Sequence, residues 1–243
     1  MKKLVLGYNF LEKSASIKMQ LSVKDLSRLL NVTERTVYRW IKEQNIPFYR
    51  IHDQYRFNRV EILDWATARK MNFSQIILDD AESGAPGMLS LAESVRKGGI
   101  HYRVEGRDKK TILGSVIDLL NLPDDIKKDN LLEAMLIREE LGSTGFGDGI
   151  AIPHARYPVV THIPYAIVSI CFLEEPVDYG AIDGKPVNCL FTLISPTVRN
   201  HLNMLSRIAF ILKNNGVKNA LINHSSREVI LKNIEEAERD LSA

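Results

Sequence analysis

The sequence predicts an α/β protein, a C-terminal sheet covered by helices on both faces, preceded by a small separate module of short helices and a hairpin. Three observations predict this. From about residue 100 onward, apolar β-branched runs alternate with amphipathic helical stretches, the pattern of a sheet between two helix layers. Before residue 70 lie compact helical stretches and a strand pair, set apart from the rest by the breaker Ser83-Gly84-Ala85-Pro86-Gly87. Charge is also divided: residues 1–70 hold 14 Lys/Arg against 7 Asp/Glu, and residues 71–243 hold 18 against 23. The basic excess points to an anionic partner for the N-terminal part only.

In the N-terminal part, Ser22-Val23-Lys24-Asp25 reads as a capping box, with Ser22 as N-cap and Asp25 in place of the usual Glu. Leu26, Leu29 and Leu30 follow at helical spacing. Asn31-Val32 forms a turn, and Thr33 caps a second helix whose Val37, Trp40 and Ile41 repeat that spacing. Residues 48–51 and 55–57 read as two short strands around His52-Asp53-Gln54. Asn58 and Glu61 open a third helix carrying Ile62, Leu63 and Ala66. Two helices joined by a short turn make a helix-turn-helix, whose second helix lies in the major groove. With Val37, Trp40 and Ile41 inward, the outward set is Glu34, Arg35, Thr36, Tyr38, Arg39 and Lys42, able to bind phosphates and base edges. Thr33 stands at the start of that helix, and the hairpin would serve as a wing with Arg50 and Arg56 near the DNA backbone. A basic surface that is merely solvated, or that docks a protein, is the plainer alternative.

The run from Leu21 through Ile41, then Ile46-Pro47 and Tyr55-Arg56-Phe57, resembles the excisionase/MerR-like winged-helix family over roughly residues 20–70. The resemblance implies binding to double-stranded DNA. One such module reads a short site, so specificity would require a homodimer or tandem sites.

Farther along come a strand over 100–104, helices over 111–120 and 130–141, and the glycine-rich stretch 142–149. Apolar runs 164–173 and 186–195 flank a turn at Asp183-Gly184, and helices over 198–212 and 226–241 close the chain. Cys171 and Cys189 lie inside the apolar runs, as buried strand residues rather than a disulfide or metal pair. The glycine stretch lacks the Gly-Lys-Ser/Thr ending of a P-loop and follows a helix rather than a strand, which argues against ATP or NAD. No cofactor is expected. A metal at His154 and His162 has no Cys or acidic set around it.

The chemistry-bearing feature is His154, after the short apolar strand Ile150-Ala151-Ile152, with His201 at the start of a helix. The positive end of a helix dipole welcomes an anion. A neutral imidazole can attack phosphorus. Two rings beside an arginine would suit phosphoryl transfer, as nucleophile, hydrogen-bond partner and cation.

The run Gly142-Ser143-Thr144-Gly145-Phe146-Gly147-Asp148-Gly149-Ile150-Ala151-Ile152-Pro153-His154, the turn Asp183-Gly184-Lys185-Pro186-Val187 and His201-Leu202 with Leu205 resemble the enzyme IIA domain of fructose, mannitol and nitrogen-regulatory type. The match covers about residues 100–238. The resemblance implies a mixed sheet covered on both faces and His154 as phosphoryl acceptor. It further implies His201 as hydrogen-bond partner, and Arg138, Ser143 and Thr144 at the phosphate site, with a phosphohistidine donor protein of the phosphotransferase system as partner. Plainer readings stand beside these roles. Arg138 also suits an i,i+4 helix pair, Arg156 a surface charge, and Ser143 and Thr144 a role in shaping the loop. His52, His101, His162 and His224 read as structural or surface residues.

The expected organisation is a tail over 1–20, the winged helix-turn-helix over 21–70, a connection over 71–99 and the enzyme IIA-like domain over 100–243. No apolar run approaches the ~18 residues that span a bilayer. Gly7-Tyr8-Asn9 interrupts the apolar start, so no signal peptide is read. A cytoplasmic protein without a membrane partner is expected. Neither the membrane domain nor the IIB domain of a sugar permease has room here. The leading expectation is a phosphotransferase-linked transcriptional regulator, a phosphocarrier rather than a turnover enzyme, whose DNA binding depends on phosphorylation of His154. The alternative is a freestanding nitrogen-type phosphocarrier that uses its N-terminal domain for docking; a degenerate, purely architectural DNA binder is a third reading.

Overall fold

The computed structural model describes residues 20–51, 53–69, 71 and 88–241. The chain divides into two compact units, Met1–Trp65 and Ala66–Ala243. The proposed tail up to residue 19, His52 and most of the connecting stretch lie outside the described residues.

The first unit opens with β1 (Gln20–Leu21), α1 (Val23–Leu29) and α2 (Glu34–Lys42). Helix α1 starts where the sequence places it. Ser22 accepts from the Asp25 amide, and the Asp25 carboxylate accepts from the Ser22 amide, closing the capping box. Thr33 caps α2 by accepting from the Thr36 amide. The hairpin follows as β2 (Tyr49–Ile51) and β3 (Gln54–Asn58), and α3 (Arg59–Ala68) begins with the Asn58 side chain accepting from the Val60 amide. β3 pairs antiparallel with both β1 and β2, so the wing is a three-stranded sheet. The two-residue strand β1 is too short to show a period, which is why the sequence reading has a hairpin only. Leu26, Val37, Phe57, Ile62 and Leu63 are buried, and Trp40 packs edge-on against Trp65.

The second unit contains α4 (Leu91–Gly98), β4 (Ile100–Val104), α5 (Lys109–Leu119), α6 (Lys128–Glu140), β5 (Gly145–Gly147) and β6 (Ile150–Ala151). Then come β7 (Ile167–Val177), β8 (Val187–Ile194), α7 (Val198–Ile211), α8 (Asn215–Ile222) and α9 (Arg227–Arg239). The five strands lie in the order β4-β7-β8-β6-β5. β4 runs parallel to β7 and β6 parallel to β8, whereas β7–β8 and β5–β6 are antiparallel, so the sheet is mixed.

Alternation along β7 explains the two layers. Val168, Ile170 and Phe172 face the core formed with α4, α7, α8 and α9, while Ile167, Cys171 and Leu173 face the side covered by α5 and α6. The strand is buried on both faces, hence the continuous apolar run. Both thiols are buried; burial pushes Cys171 up to about 11 and Cys189 well above the ordinary thiol range, so neither is a reactive thiolate.

Helix α4 falls inside the stretch that the sequence reading assigns to the connection. Its capping box, Ser90 with Glu93, is intact, and Leu91, Ala92 and Val95 are buried in the main core. The buried Glu238 of α9 accepts from the Leu91 and Ala92 amides and pairs with Arg207 of α7. The folded second unit therefore starts before residue 100. Helix α8 lies where the sequence reading places no element, and it is capped by Asn214, whose side chain accepts from the Gly216 and Val217 amides.

Two stability tests follow from this packing. A Cβ on Gly98 would sit 2.3 Å from the Val168 carbonyl oxygen, a backbone atom that cannot move aside. Gly98→Ala should cost at least about 1–3 kcal/mol of stability in chemical denaturation. Ser22→Ala should cost about 1 kcal/mol in the first unit. The Ser22 hydrogen bonds hold the Asp25 carboxyl below its ordinary range. A depressed carboxyl contributes stability above its unfolded-state pKa that is lost as pH falls through the folded value. The penalty of Ser22→Ala should therefore shrink in acid; an equal penalty at neutral and strongly acidic pH would contradict the capping box.

Candidate functional site: a pair of buried histidines

Strand β6 brings His154 to its place. Ile150 and Ala151 run parallel to Cys189 and Leu190 of β8, and the chain continues in register past Pro153, with Leu193 donating to the Pro153 carbonyl and His154 bridging Leu193. The same strand β8 ends at Ile194 and leads through Ser195 into α7, whose first turn carries His201. The two rings meet with centroids 5.1 Å apart and planes tilted by 59°. His154 is 4% and His201 2% exposed, so both work largely outside bulk water.

Each ring has a polar contact at Nδ1 that bears on its orientation. Nδ1 of His154 lies 2.7 Å from the Ile152 carbonyl oxygen. A carbonyl only accepts, so Nδ1 carries the hydrogen and Nε2 carries the lone pair of the neutral ring. Nδ1 of His201 lies 3.1 Å from the Ser195 hydroxyl. His201 stands one residue beyond the first three amides of α7, close to the positive end of the helix dipole. Ala155, Tyr157, Val159, Ser195 and His201 line a small cavity beside the pair.

The loop before β6 is built from polar contacts. Arg138, buried near the end of α6, donates to the Gly142 carbonyl at 2.9 Å. Ser143 donates to the Tyr179 carbonyl at 2.5 Å and accepts from the Gly145 amide. Thr144 donates from its hydroxyl to the buried Glu139 carboxylate at 2.6 Å, and its amide donates to the same carboxylate at 3.0 Å. Lys109 of α5 donates to Glu139 at 3.1 Å. Burial, followed by the negative charge of Glu139, pushes the Tyr179 phenol above its ordinary range. Asp148 and Gly149 both have positive φ, 54° and 78°, and make the two-residue turn between β5 and β6. Such primed turns favour Asp-Gly.

Of the residues singled out from the sequence, His154 and His201 are brought ring to ring. Ser143 and Thr144 lie in one loop that reaches His154 through the backbone, because the Ile152 amide donates to the Thr144 carbonyl. Their hydroxyls donate within the protein, Ser143 to the Tyr179 carbonyl and Thr144 to the Glu139 carboxylate. Arg138 ties down the same loop. His101 contacts the Gly98 carbonyl, His162 is exposed near Asp125 and His224 packs on Phe172. Sequence reasoning missed Glu139, Lys109, Ser195 and the Ile152 carbonyl. None of these carries a local sequence signal, in contrast to the Asp148-Gly149 dipeptide, which has that of a hairpin turn.

In the N-terminal unit, Arg35, Tyr38, Arg39 and Lys42 are exposed on α2, and Thr36 is half-buried. The Thr33 hydroxyl is engaged as the helix cap and lies 3.0 Å from that of Thr36. On the wing, Arg50 pairs with Asp53, while Arg56 donates to the Tyr55 carbonyl and to Gln54.

A mixed five-stranded sheet with helices on both faces and two apposed histidines at the end of its parallel strands defines a phosphotransferase-type enzyme IIA domain. Residues 93–237 match the family model of the phosphoenolpyruvate-dependent sugar phosphotransferase system, EIIA 2, and the chain belongs to that family. Residues 21–70 match the model of a helix-turn-helix domain. The chain is 35% identical over 147 residues to a nitrogen regulatory protein of Pseudomonas aeruginosa, covering 59% of this chain and 93% of that one. It is 27% identical over 146 residues to the fructose-specific EIIABC component of Bacillus subtilis, where the match spans only 22% of the relative. Among solved structures, the nitrogen regulatory protein IIA-Ntr of Neisseria meningitidis superposes with a TM-score of 0.52 at 31% identity, over 59% of this chain and 98% of that one. Among the described residues, no helix is long and apolar enough to cross a membrane.

The ring contacts make a spectroscopic prediction. Long-range 15N–1H correlation spectra of the neutral protein should show His154 as the Nδ1–H tautomer, and a dominant Nε2–H form would contradict the hydrogen bond to Ile152.

Proposed function

We propose that His154 accepts a phosphoryl group from a phosphohistidine donor protein of the phosphotransferase system, and that this state regulates DNA binding by the N-terminal unit. The observation that carries the reading is the buried histidine pair, with His154 oriented by the Ile152 carbonyl so that Nε2 bears the lone pair. In the transfer, the His154 Nε2–P bond forms as the donor's N–P bond breaks, and the donor imidazole leaves with the bonding electrons. The proton stays on Nδ1, where the Ile152 carbonyl meets the positive charge that develops on the ring. His201 hydrogen-bonds a phosphoryl oxygen and is itself oriented by Ser195. The Arg138 guanidinium supplies positive charge at the loop that borders the site.

The phosphoryl group replaces a neutral ring with a group of about two negative charges, enough to remodel a contact or an interface. On the DNA side, Arg35, Tyr38, Arg39 and Lys42 of α2 would enter the major groove. Arg50 and Arg56 would lie along the backbone, with Thr33 and Thr36 at the helix start. A site long enough for specificity would take two copies or tandem modules. The alternative is a nitrogen-type carrier that signals through protein partners and uses its N-terminal unit for docking; the P. aeruginosa nitrogen regulatory protein is matched over 93% of its length by 59% of this chain.

Two experiments test these readings. Incubated with phosphoenolpyruvate, magnesium and the general phosphotransferase proteins, the protein should gain the mass of one acid-labile phosphoryl group. His154→Ala should abolish the gain and His162→Ala should leave it intact; failure of the wild-type protein beside an active control domain would sink the carrier reading. Duplex DNA binding should weaken steeply with salt, and Arg39→Ala should lower the slope of log K against log salt by roughly 1 if it contacts a phosphate. Binding that is indifferent to salt would favour the protein-docking alternative.

A further inference from the structure

We infer that Glu139, which takes no part in the chemistry, is a positioning residue for the phosphoryl-accepting ring, working with Lys109 through Thr144 and Ile152. The inference rests on the reading that His154 is the nucleophile.

Glu139 occupies an unfavourable place for an anion. Its side chain is 5% exposed, and it lies in the last turn of α6, where the helix dipole is negative. Burying a carboxylate costs several kcal/mol unless donors surround it. Three donors do so here: the Lys109 ammonium, the Thr144 amide and the Thr144 hydroxyl. Two of the three belong to one residue of the loop, so the carboxylate fixes both the backbone and the rotamer of Thr144. From there the contacts run without a gap to the reacting ring. The Thr144 carbonyl accepts from the Ile152 amide at 3.0 Å, and the Ile152 carbonyl accepts from His154 Nδ1 at 2.7 Å.

The neighbouring contacts hold the same loop against rotation. Arg138, adjacent in sequence, donates to Gly142, and Ser143 donates to the Tyr179 carbonyl. The Lys109 ammonium also lies 4.9 Å over the Tyr179 ring. A charged acceptor makes stronger hydrogen bonds than a neutral one. Replacing it with an amide leaves a single oxygen for the two Thr144 donors and places an NH2 group against the Lys109 ammonium. The loop would then relax, and with it the carbonyl that selects the tautomer of His154.

The test uses the full-length protein with Glu139→Gln, Thr144→Val and Glu139→Asp, and follows two readouts. Phosphoryl uptake from the donor protein should slow by about ten- to a hundred-fold in Glu139→Gln, the range expected for misplacing a reacting group. The donor concentration giving half-maximal rate should not change. The 15N–1H spectrum of the unphosphorylated variant should show His154 losing Nδ1–H population to Nε2–H. Thr144→Val, which removes the hydroxyl bond and keeps both backbone links, should shift both readouts less and in the same direction. Glu139→Asp, which retains the charge on a shorter arm, should recover part of the loss relative to Gln. A folded Glu139→Gln protein with wild-type rate and tautomer would overturn the inference. If that variant does not fold, unchanged readouts in Thr144→Val would overturn it instead. Should the wild-type protein take up no phosphoryl group, the carrier reading falls, while the tautomer comparison still decides the role of Glu139.

Discussion

The parallel pairing of the β6 segment with β8 is the constraint on which the histidine site depends. It aligns His154 with Leu193, one residue before the end of β8, and β8 then passes through Ser195 into the helix that carries His201. One strand thus aligns the first histidine by its backbone and delivers the second by its continuation. Phe191 and Leu193 of β8 lie in the core shared with α7, while Leu190 lies in the opposite layer, and a one-residue slip would exchange the two faces. Neither ring needs a long or flexible arm, because the strand ends supply the geometry.

Polar groups are spent mostly on holding that arrangement. Ser143 and Thr144 have hydroxyls suited to a phosphate, yet they bond to Tyr179 and Glu139 within the protein. The turn Asp148-Gly149 folds β5 back on β6 and aims the chain toward β8. These contacts tie the loop to Tyr179 and Glu139 and so hold the backbone that leads into His154.

The N-terminal unit relies on a different economy. Its helices are short, seven to ten residues, and helices of that length do not persist alone. Capping at Ser22, Thr33 and Asn58 and a small core around Leu26, Val37 and Phe57 make up the difference. The exposed face of α2 is left to Arg35, Tyr38, Arg39 and Lys42, in keeping with the helix-turn-helix family match.

What could be read from the sequence was local. The caps at Ser22 and Thr33, the apolar periodicity of the helices, and the two buried strands follow from side-chain chemistry over a few residues, and the family resemblance singled out His154 and His201. Tertiary structure decided the rest. Whether Ser143 and Thr144 face a ligand or the protein depends on Tyr179 and Glu139, which meet them only after folding. Helix α4 looked like part of a connection because its anchor, Glu238, lies at the far end of the chain. The orientation of the His154 ring is set by a carbonyl, a group that every residue has and that no sequence pattern distinguishes. Local propensity names the elements; long-range hydrogen bonds and sheet register determine which of their side chains can meet.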